Sequence, residues 1–374
     1  MSSTSHHRRS PTASLLLLLA GVLTAIALAE VGLRTYSNFN AQFHLAFMAH
    51  DPLASQVEPH GQIGYRQKPN TTFHYSNGKT ATSNSMGFRG PSVEIPKPSD
   101  VFRIVLFGGS TTHGWNVNDD ETIDAYMRIL LRQHNPKRAF EVVNLAFDGY
   151  DSYQLLERLR TDGVRLDPDL IIVNSGINDV RNARFPDLQD PDPRTYLWEV
   201  ALDLQRDQVR QRRLTRWMQV QHLSYVARLP ALVHTRFRWA RRHLGGEGGR
   251  IPPNSAAIEY FGRNMWRIVA VVRDRNVPIL FSTPPSALTT KFAPNDTSPS
   301  SYWLLNAATT EACRLLLAER MRAVVAELTS EDYPTRYVTH NLPVEMFLDD
   351  SHLTPEGNRR MAEDFVDAAS PYII

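Results

Sequence analysis

Phe102-Arg103-Ile104-Val105-Leu106-Phe107-Gly108-Gly109-Ser110-Thr111-Thr112 decides the fold class of this 374-residue chain. An apolar run rich in β-branched residues reads as a strand. The glycine pair that ends it reads as a tight turn with a serine on it. A helical pattern follows, because Ile123, Tyr126, Met127, Leu130 and Leu131 keep the spacing of one helix face. Asp119 and Asp120 are suitable capping residues at its start. The serine therefore stands at the top of a sheet, facing a helix N-terminus.

The alternation continues along the chain. Residues 141–145 read as a second strand and 153–162 as a helix. Leu170-Ile171-Ile172-Val173 is a third strand, as uniformly apolar as a sheet covered on both faces requires. A helix over 266–275 leads to a strand over 277–281. A long helix spans 302–328, a short fifth strand is expected at Tyr337-Val338, and a closing helix covers 354–369. Alternating strands and helices predict an α/β fold with a parallel, doubly wound sheet. Ligands of such sheets bind beyond the carboxyl ends of the strands.

Before this core come two segments of different character. His6, His7, Arg8 and Arg9 precede a leucine- and alanine-rich run from about Ala13 to Val31, with no charge before Glu30. The run reaches the length of a membrane span, and its basic flank favours an N-inside orientation. Two readings stand. The helix remains as a signal anchor, with Glu30 and Arg34 at the far interface, or Ala27-Leu28-Ala29 is a cleavage site that releases the protein. Either way the body of the protein lies outside the cytoplasm, in a periplasmic or extracellular space. The resulting organisation is a tail and transmembrane anchor over 1–35, a stalk with a small irregular or β lobe over 36–100, and the α/β domain over 101–374. In the lobe, the turn-rich cluster from Asn84 to Gly90 reads as a packing loop held by Phe88. The alternative is that Arg89 borders the site.

An insertion over about 185–250 interrupts the α/β pattern. It is rich in arginine from Arg206 to Arg242, interleaved with Trp217, Leu223, Tyr225 and Trp239, and closes on Gly245-Gly246-Glu247-Gly248-Gly249. A helical cap near the site, a membrane-surface helix and a nucleic-acid patch all fit such a segment. Export argues against nucleic acid. The formal net charge of +2 implies no long-range field toward any partner. The single cysteine, Cys313, excludes an intrachain disulfide and reads as a small buried hydrophobe on a helix.

Four short segments carry chemistry. They are Gly108-Gly109-Ser110; Asn144 to Gly149; Ser175-Gly176-Ile177-Asn178-Asp179; and Asp349-Asp350-Ser351-His352-Leu353-Thr354-Pro355. The first three follow strands of one parallel sheet, so their loops share an edge. A serine hydroxyl needs a base to become a nucleophile at neutral pH, and His352 is placed to serve. It lies just before Thr354-Pro355, an N-cap and first-turn pair that opens a helix. Asp349, three residues earlier, can reach back to the second ring nitrogen, with adjacent Asp350 the less suitable choice. Three donors can meet an oxyanion: the N–H of Ser110, the N–H of Gly149 and the amide of Asn178. His113 reads as decoration of the loop after Ser110, with a place in the pocket lining as the alternative. There is no Gly-x-Ser-x-Gly elbow and no phosphate-binding Gly-x-x-x-x-Gly-Lys loop.

This ordered set resembles the SGNH hydrolase superfamily, also called the GDSL esterase/lipase family, whose four blocks are named for residues matching Ser110, Gly149, Asn178 and His352. The resemblance covers about 102–183 and 277–369. It implies a flavodoxin-like three-layer αβα sandwich with about five parallel strands, and ester hydrolysis without metal or cofactor. One departure is visible: Gly109 stands where the family often has aspartate. The expectation is an exported, membrane-anchored serine esterase acting on short-chain or carbohydrate O-acyl esters through an acyl-enzyme. The alternatives are an O-acyltransferase on an envelope glycan, or a non-catalytic envelope scaffold.

Overall fold

A computed structural model of the chain describes residues 11–39, 57–75, 77–184, 187–188, 226, 254–287 and 307–373. The expected insertion over 185–250 therefore lies almost wholly outside the described residues, as do residues 40–56 of the expected stalk and lobe over 36–100. The chain divides into two compact units, one of residues 1–53 with 207–245, the other of 54–206 with 246–374.

In the first unit, α1 runs over Pro11–Phe39. Its stretch Ser14–Thr35 has a mean hydropathy of 2.3 and is not buried. That stretch is long and apolar enough to cross a membrane. Arg34 pairs with Glu30 at 2.7 Å, one turn earlier.

The second unit is built on five parallel strands: β5 (Val101–Gly108), β6 (Ala139–Asn144), β7 (Leu170–Asn174), β8 (Ile279–Ser282) and β9 (Thr335–Val338), in the order β6-β5-β7-β8-β9. The chain starts near the middle, moves out to β6, then reverses toward β9. The loops after β5 and β7 thus flank the point where the strand order reverses, the usual ligand crevice of such sheets. β5 is buried from Phe102 to Gly108 and β7 over its whole length. Both faces are covered, as their unbroken apolarity requires.

On one face, α3 (Ile123–His134) and α7 (Pro355–Ala369) pack together, joining Ile123, Met127, Leu131, Met361 and Phe365 to the sheet core. Helices α4 (Ser152–Arg158), α5 (Ser255–Val272) and α6 (Ala307–Ser330) pack together as a second layer. The architecture is the expected three-layer α/β sandwich. Cys313 is buried in α6, and burial pushes its thiol up to about 11, so it is inert at neutral pH.

Several boundaries differ from the expectation, each for a local reason. Thr122, not Asp119 or Asp120, caps α3, its hydroxyl accepting from the Ala125 N–H at 3.3 Å. Asp119 instead opens a 3-10 turn, and its carboxylate binds Thr82 and Arg89. α5 begins at Ser255, well before residue 266, because Asn254 caps it by accepting from Ala257 N at 2.7 Å. The helix expected over 153–162 is α helix only to Arg158, after which the backbone widens into a π turn over Leu159–Gly163.

Two antiparallel hairpins precede the sheet: β1 (Val57–His60) with β2 (Gly64–Gln67), and β3 (Thr72–His74) with β4 (Thr80–Thr82). They are tied to the loops beyond the strand ends. Tyr65 Oη donates to the Asp148 carbonyl at 2.7 Å, and Thr80 N donates to Asn118 Oδ1 at 3.0 Å.

Candidate active site

β5 ends at Gly108, and the chain turns at once into the single helical turn α2 (Ser110–His113). Ser110 is its first residue and is partly exposed. The turn is closed by Gly114 in the left-handed region (φ 88°). Thr111 Oγ1 donates to the Ser351 carbonyl at 3.0 Å, which fastens this turn to the loop that carries His352.

That loop is a compact lead into α7. Leu348 N donates to the His352 carbonyl at 2.8 Å, and Thr354 N to the Met346 carbonyl at 2.9 Å. Thr354 Oγ1 then caps α7 by accepting from Gly357 N at 3.2 Å, with Pro355 at the first helical position. The geometry aims His352 Nε2 at Ser110 Oγ, 2.8 Å away. On the other side of the ring, Nδ1 lies 2.6 Å from Asp349 Oδ2. Asp349 Oδ1 also accepts from the N–H groups of Ser351 and His352, at 2.9 and 2.7 Å. Carboxylate, imidazole and hydroxyl form one hydrogen-bonded line.

The electrostatics follow this line. Burial opposes charge on His352, but the Asp349 carboxylate, with Asp350 and Asp148 behind it, raises its pKa above the ordinary value of 6.5. Burial likewise opposes charge on Asp349, yet the His352 ring and the two backbone N–H groups hold it well below the usual carboxylate range. Asp350 differs. Burial and the neighbouring Asp349 charge push it up to about 6, and its contact is the Ser351 hydroxyl at 3.3 Å, not the imidazole. Trp115 packs against the His352 ring, with centroids 5.7 Å apart.

The loops after β6 and β7 complete the crevice. Gly149 has φ 80°, a left-handed conformation that an L side chain would strain. Its carbonyl accepts from Arg181 Nη2 at 3.1 Å. Asn178 opens a 3-10 turn and is buried. Its Nδ2 donates to the Tyr150 carbonyl at 2.7 Å, which sets the amide beside the turn containing Gly149. Asp179, next to it, accepts from Ser152 N at 3.1 Å. Burial and the Asp151 carboxylate push Asp179 up to about 7. Among the described residues, no group of three His, Cys, Asp or Glu side chains is arranged to hold a metal ion.

Two residues contribute more than their sequence context suggests. His113 is not loop decoration: it is buried in α2, with Nδ1 3.0 Å from Asp148 Oδ1 and its ring against Phe147. Arg89 is fully buried, and the loop holding it is also anchored by buried Phe88, as the packing-loop reading expects. Its guanidinium donates to the carbonyls of His113 at 2.8 Å and Val117 at 2.7 Å, to Gly114, and to Asp119 at 2.9 Å. It thus braces the loop that follows Ser110. Polar residues at the carboxyl ends of the strands do similar work: Asn144 Nδ2 donates to the Thr112 carbonyl at 2.9 Å, and Asn174 Nδ2 to Thr112 Oγ1 at 3.0 Å. An asparagine closing an otherwise apolar strand is the signal by which sequence reasoning can find them.

The model of the GDSL-like lipase/acylhydrolase family matches residues 106–360. That is more than half of the chain and includes the whole crevice, so the chain belongs to this family and is a serine ester hydrolase. No curated protein matches the sequence. Solved structures with a similar fold include an alpha/beta hydrolase enzyme from the metagenome of Lake Arreo, Spain, at 17% identity and TM-score 0.41, covering 72% of this chain and 95% of that one. An acetylxylan esterase from Geobacillus stearothermophilus follows at 14% identity and TM-score 0.39, covering 71% and 93%. A GDSL-like lipase from Bacteroides thetaiotaomicron matches at 13% identity and TM-score 0.38, covering 72% and 88%.

Proposed function

We propose that the chain is an exported, membrane-anchored serine esterase that removes short acyl groups from hydroxyls, with carbohydrate O-acyl esters as its substrate class. The observation that carries this reading is the continuous line from Asp349 through His352 to Ser110, with contacts of 2.6 and 2.8 Å. Ser110 Oγ attacks the ester carbonyl carbon while its proton passes to His352 Nε2. Asp349 fixes the tautomer and stabilises the imidazolium. The carbonyl oxygen, now negative, takes hydrogen bonds from the N–H groups of Ser110 and Gly149 and from Asn178 Nδ2. The C–O bond to the leaving alcohol breaks, and that alcohol takes the proton from His352. Water then gives a proton to His352 and attacks the acyl carbon. The bond to Ser110 Oγ breaks and the serine recovers its proton.

Support for a sugar-linked ester comes from the aromatic group beside the base. Trp115, packed on His352, meets Tyr75 at 5.3 Å between centroids, and Tyr75 meets Phe73 at 4.7 Å. The C–H faces of a pyranose pack well on such rings. Support for anchoring and export comes from α1 and the basic residues before it.

A fluorophosphonate probe tests the chemistry. A single adduct is expected on Ser110, and none in Ser110→Ala or His352→Ala. Folded wild-type protein that takes no label at Ser110 would end the proposal. Hydrolysis of acetylated sugars faster than of p-nitrophenyl acetate is the result expected of the substrate class. For location, the full-length chain is expected to resist carbonate extraction from membranes, with its body open to external protease in spheroplasts. A soluble chain shortened at Ala29 would replace the anchor with a cleaved signal.

A further inference from the structure

His113 and Asp148 form a pair that the reaction steps leave unused. His113 ends the helical turn that opens with Ser110, and Asp148 stands one residue before Gly149. His113 Nδ1 lies 3.0 Å from Asp148 Oδ1, and a carboxylate only accepts, so the ring donates. The imidazole is buried, and its other nitrogen, Nε2, has no partner among the described residues. A phenyl ring in this place would pack on Phe147 as well and would orphan no nitrogen. What the imidazole adds is its one polar contact, the Asp148 carboxylate.

The backbone around Asp148 is held as well. Its carbonyl accepts from Tyr65 Oη at 2.7 Å, and Phe147 N donates to the Gly108 carbonyl at 3.2 Å. The second carboxylate oxygen, Oδ2, has no hydrogen-bond partner among the described residues and is not sealed from solvent, the side chain being 12% exposed. The charge is felt at two groups of the crevice. Burial disfavours the His352 imidazolium, Asp349 and Asp350 favour it, and Asp148 adds to them. Burial raises the Tyr75 phenol, and Asp148 adds to that rise. Trp115 packs on both of these rings. A fixed acceptor thus borders the aromatic group beside the base. Negative charge so near a developing oxyanion opposes the reaction, unless the substrate brings a donor to it.

We propose that Asp148 is a specificity-determining residue: its Oδ2 accepts a hydrogen bond from a sugar hydroxyl beside the ester, and His113 is the positioning residue that holds it there. This deepens the reading of a carbohydrate ester given above and rests on it. A pyranose packed by its C–H face on the aromatic rings presents its hydroxyls at the edge, where a carboxylate bordering those rings can accept one. The acceptor is set before the substrate arrives, so little ordering is lost on binding.

Substrate discrimination by the full-length chain in detergent tests this. One substrate is a methyl glucoside monoacetate with free hydroxyls on both carbons beside the ester. The other is the same acetate with those hydroxyls replaced by hydrogen. The readout is the ratio of kcat/KM for the first over the second, in which a change at His352 itself cancels. In Asp148→Asn, which keeps an oxygen for His113 but turns a donor toward the substrate, the ratio is expected to fall about 10- to 100-fold, the usual worth of a hydrogen bond to a charged group. Asp148→Ser is expected to do the same. His113→Phe is expected to lower the ratio by less, because the carboxylate remains but is no longer held. An unchanged ratio in Asp148→Asn, shown to be folded by fluorophosphonate labelling of Ser110, would overturn the proposal. A wild-type chain that favours the deoxy acetate would overturn it too. Failure of both Asp148 variants to fold would do the same, by making the carboxylate part of the framework. The functional reading fails by a different result: wild-type protein would turn over neither acetate, or Ser110 would take no label.

Discussion

On the proposed mechanism His352 works only when its Nε2 can take a proton, so its charge state sets the acid limit of the reaction. Burial works against the imidazolium, but Asp349, Asp350 and Asp148 together raise the pKa above 6.5. Activity, measured as kcat/KM, is expected to fall as pH drops through a value above 6.5. In Asp349→Asn the principal supporting charge is gone, so that acid limb moves to lower pH and kcat falls by about 10³ to 10⁴. An unmoved limb in Asp349→Asn would count against this account of the ring. Stability follows the same linkage. A raised histidine pKa adds stability that is complete below 6.5 and is lost as pH rises through the folded value; the depressed Asp349 adds stability that is present above its ordinary 3.8 and lost as pH falls through its folded value. At this scale the sequence is informative where chemistry and turn grammar coincide. Ser110 follows a glycine turn, and Asp349 and His352 lead into the Thr354-Pro355 helix start. The parts played by Arg89 and His113 were hidden, because their partners come from remote segments that no local pattern connects.

The loop between α2 and α3 is held from outside the sheet. Arg89 reaches in from beyond β4 and satisfies buried carbonyls at His113, Gly114 and Val117. Arg89→Met leaves these acceptors without a donor and is expected to destabilise the protein by about 3 kcal/mol, read as a lower urea midpoint. Arg89→Lys is expected to recover less than half, because a single ammonium cannot span carbonyls that a planar fork reaches together. A full rescue by lysine would show that charge alone matters there. Elements of the core were legible because apolar strands and helical patterns alternate on either side of the segment 185–250. Their ends were less so. Thr122 outcompetes Asp119 as a cap because the Asp119 carboxylate is already engaged by Thr82 and Arg89, an arrangement made by tertiary structure.

At the scale of the whole α/β unit, the sandwich rests on two helical layers pressed on a sheet whose strands β7 and β8 are buried throughout. Phe365 in α7 has no exposed surface and belongs to the cluster that joins α3, α7 and the sheet. Phe365→Ala is expected to cost about 3 to 5 kcal/mol and to lower the thermal midpoint, with residual activity following the folded fraction. A midpoint within error of wild type would mean that α7 is not a structural partner of the sheet. The parallel topology was legible because parallel strands need long crossover connections, which are usually helices. The region over 185–250 gave a compositional reading of arginines and aromatics, and composition alone does not define an element. The clasp between Thr111 and Ser351 has a consequence for biosynthesis. The alcohol-bearing turn is made early in translation, whereas the imidazole-bearing loop arrives with the final helix. On the proposed mechanism, a nascent polypeptide is chemically silent, and it becomes able to cut esters only after the segment bearing His352 has docked; if the proposed export holds, that docking follows translocation.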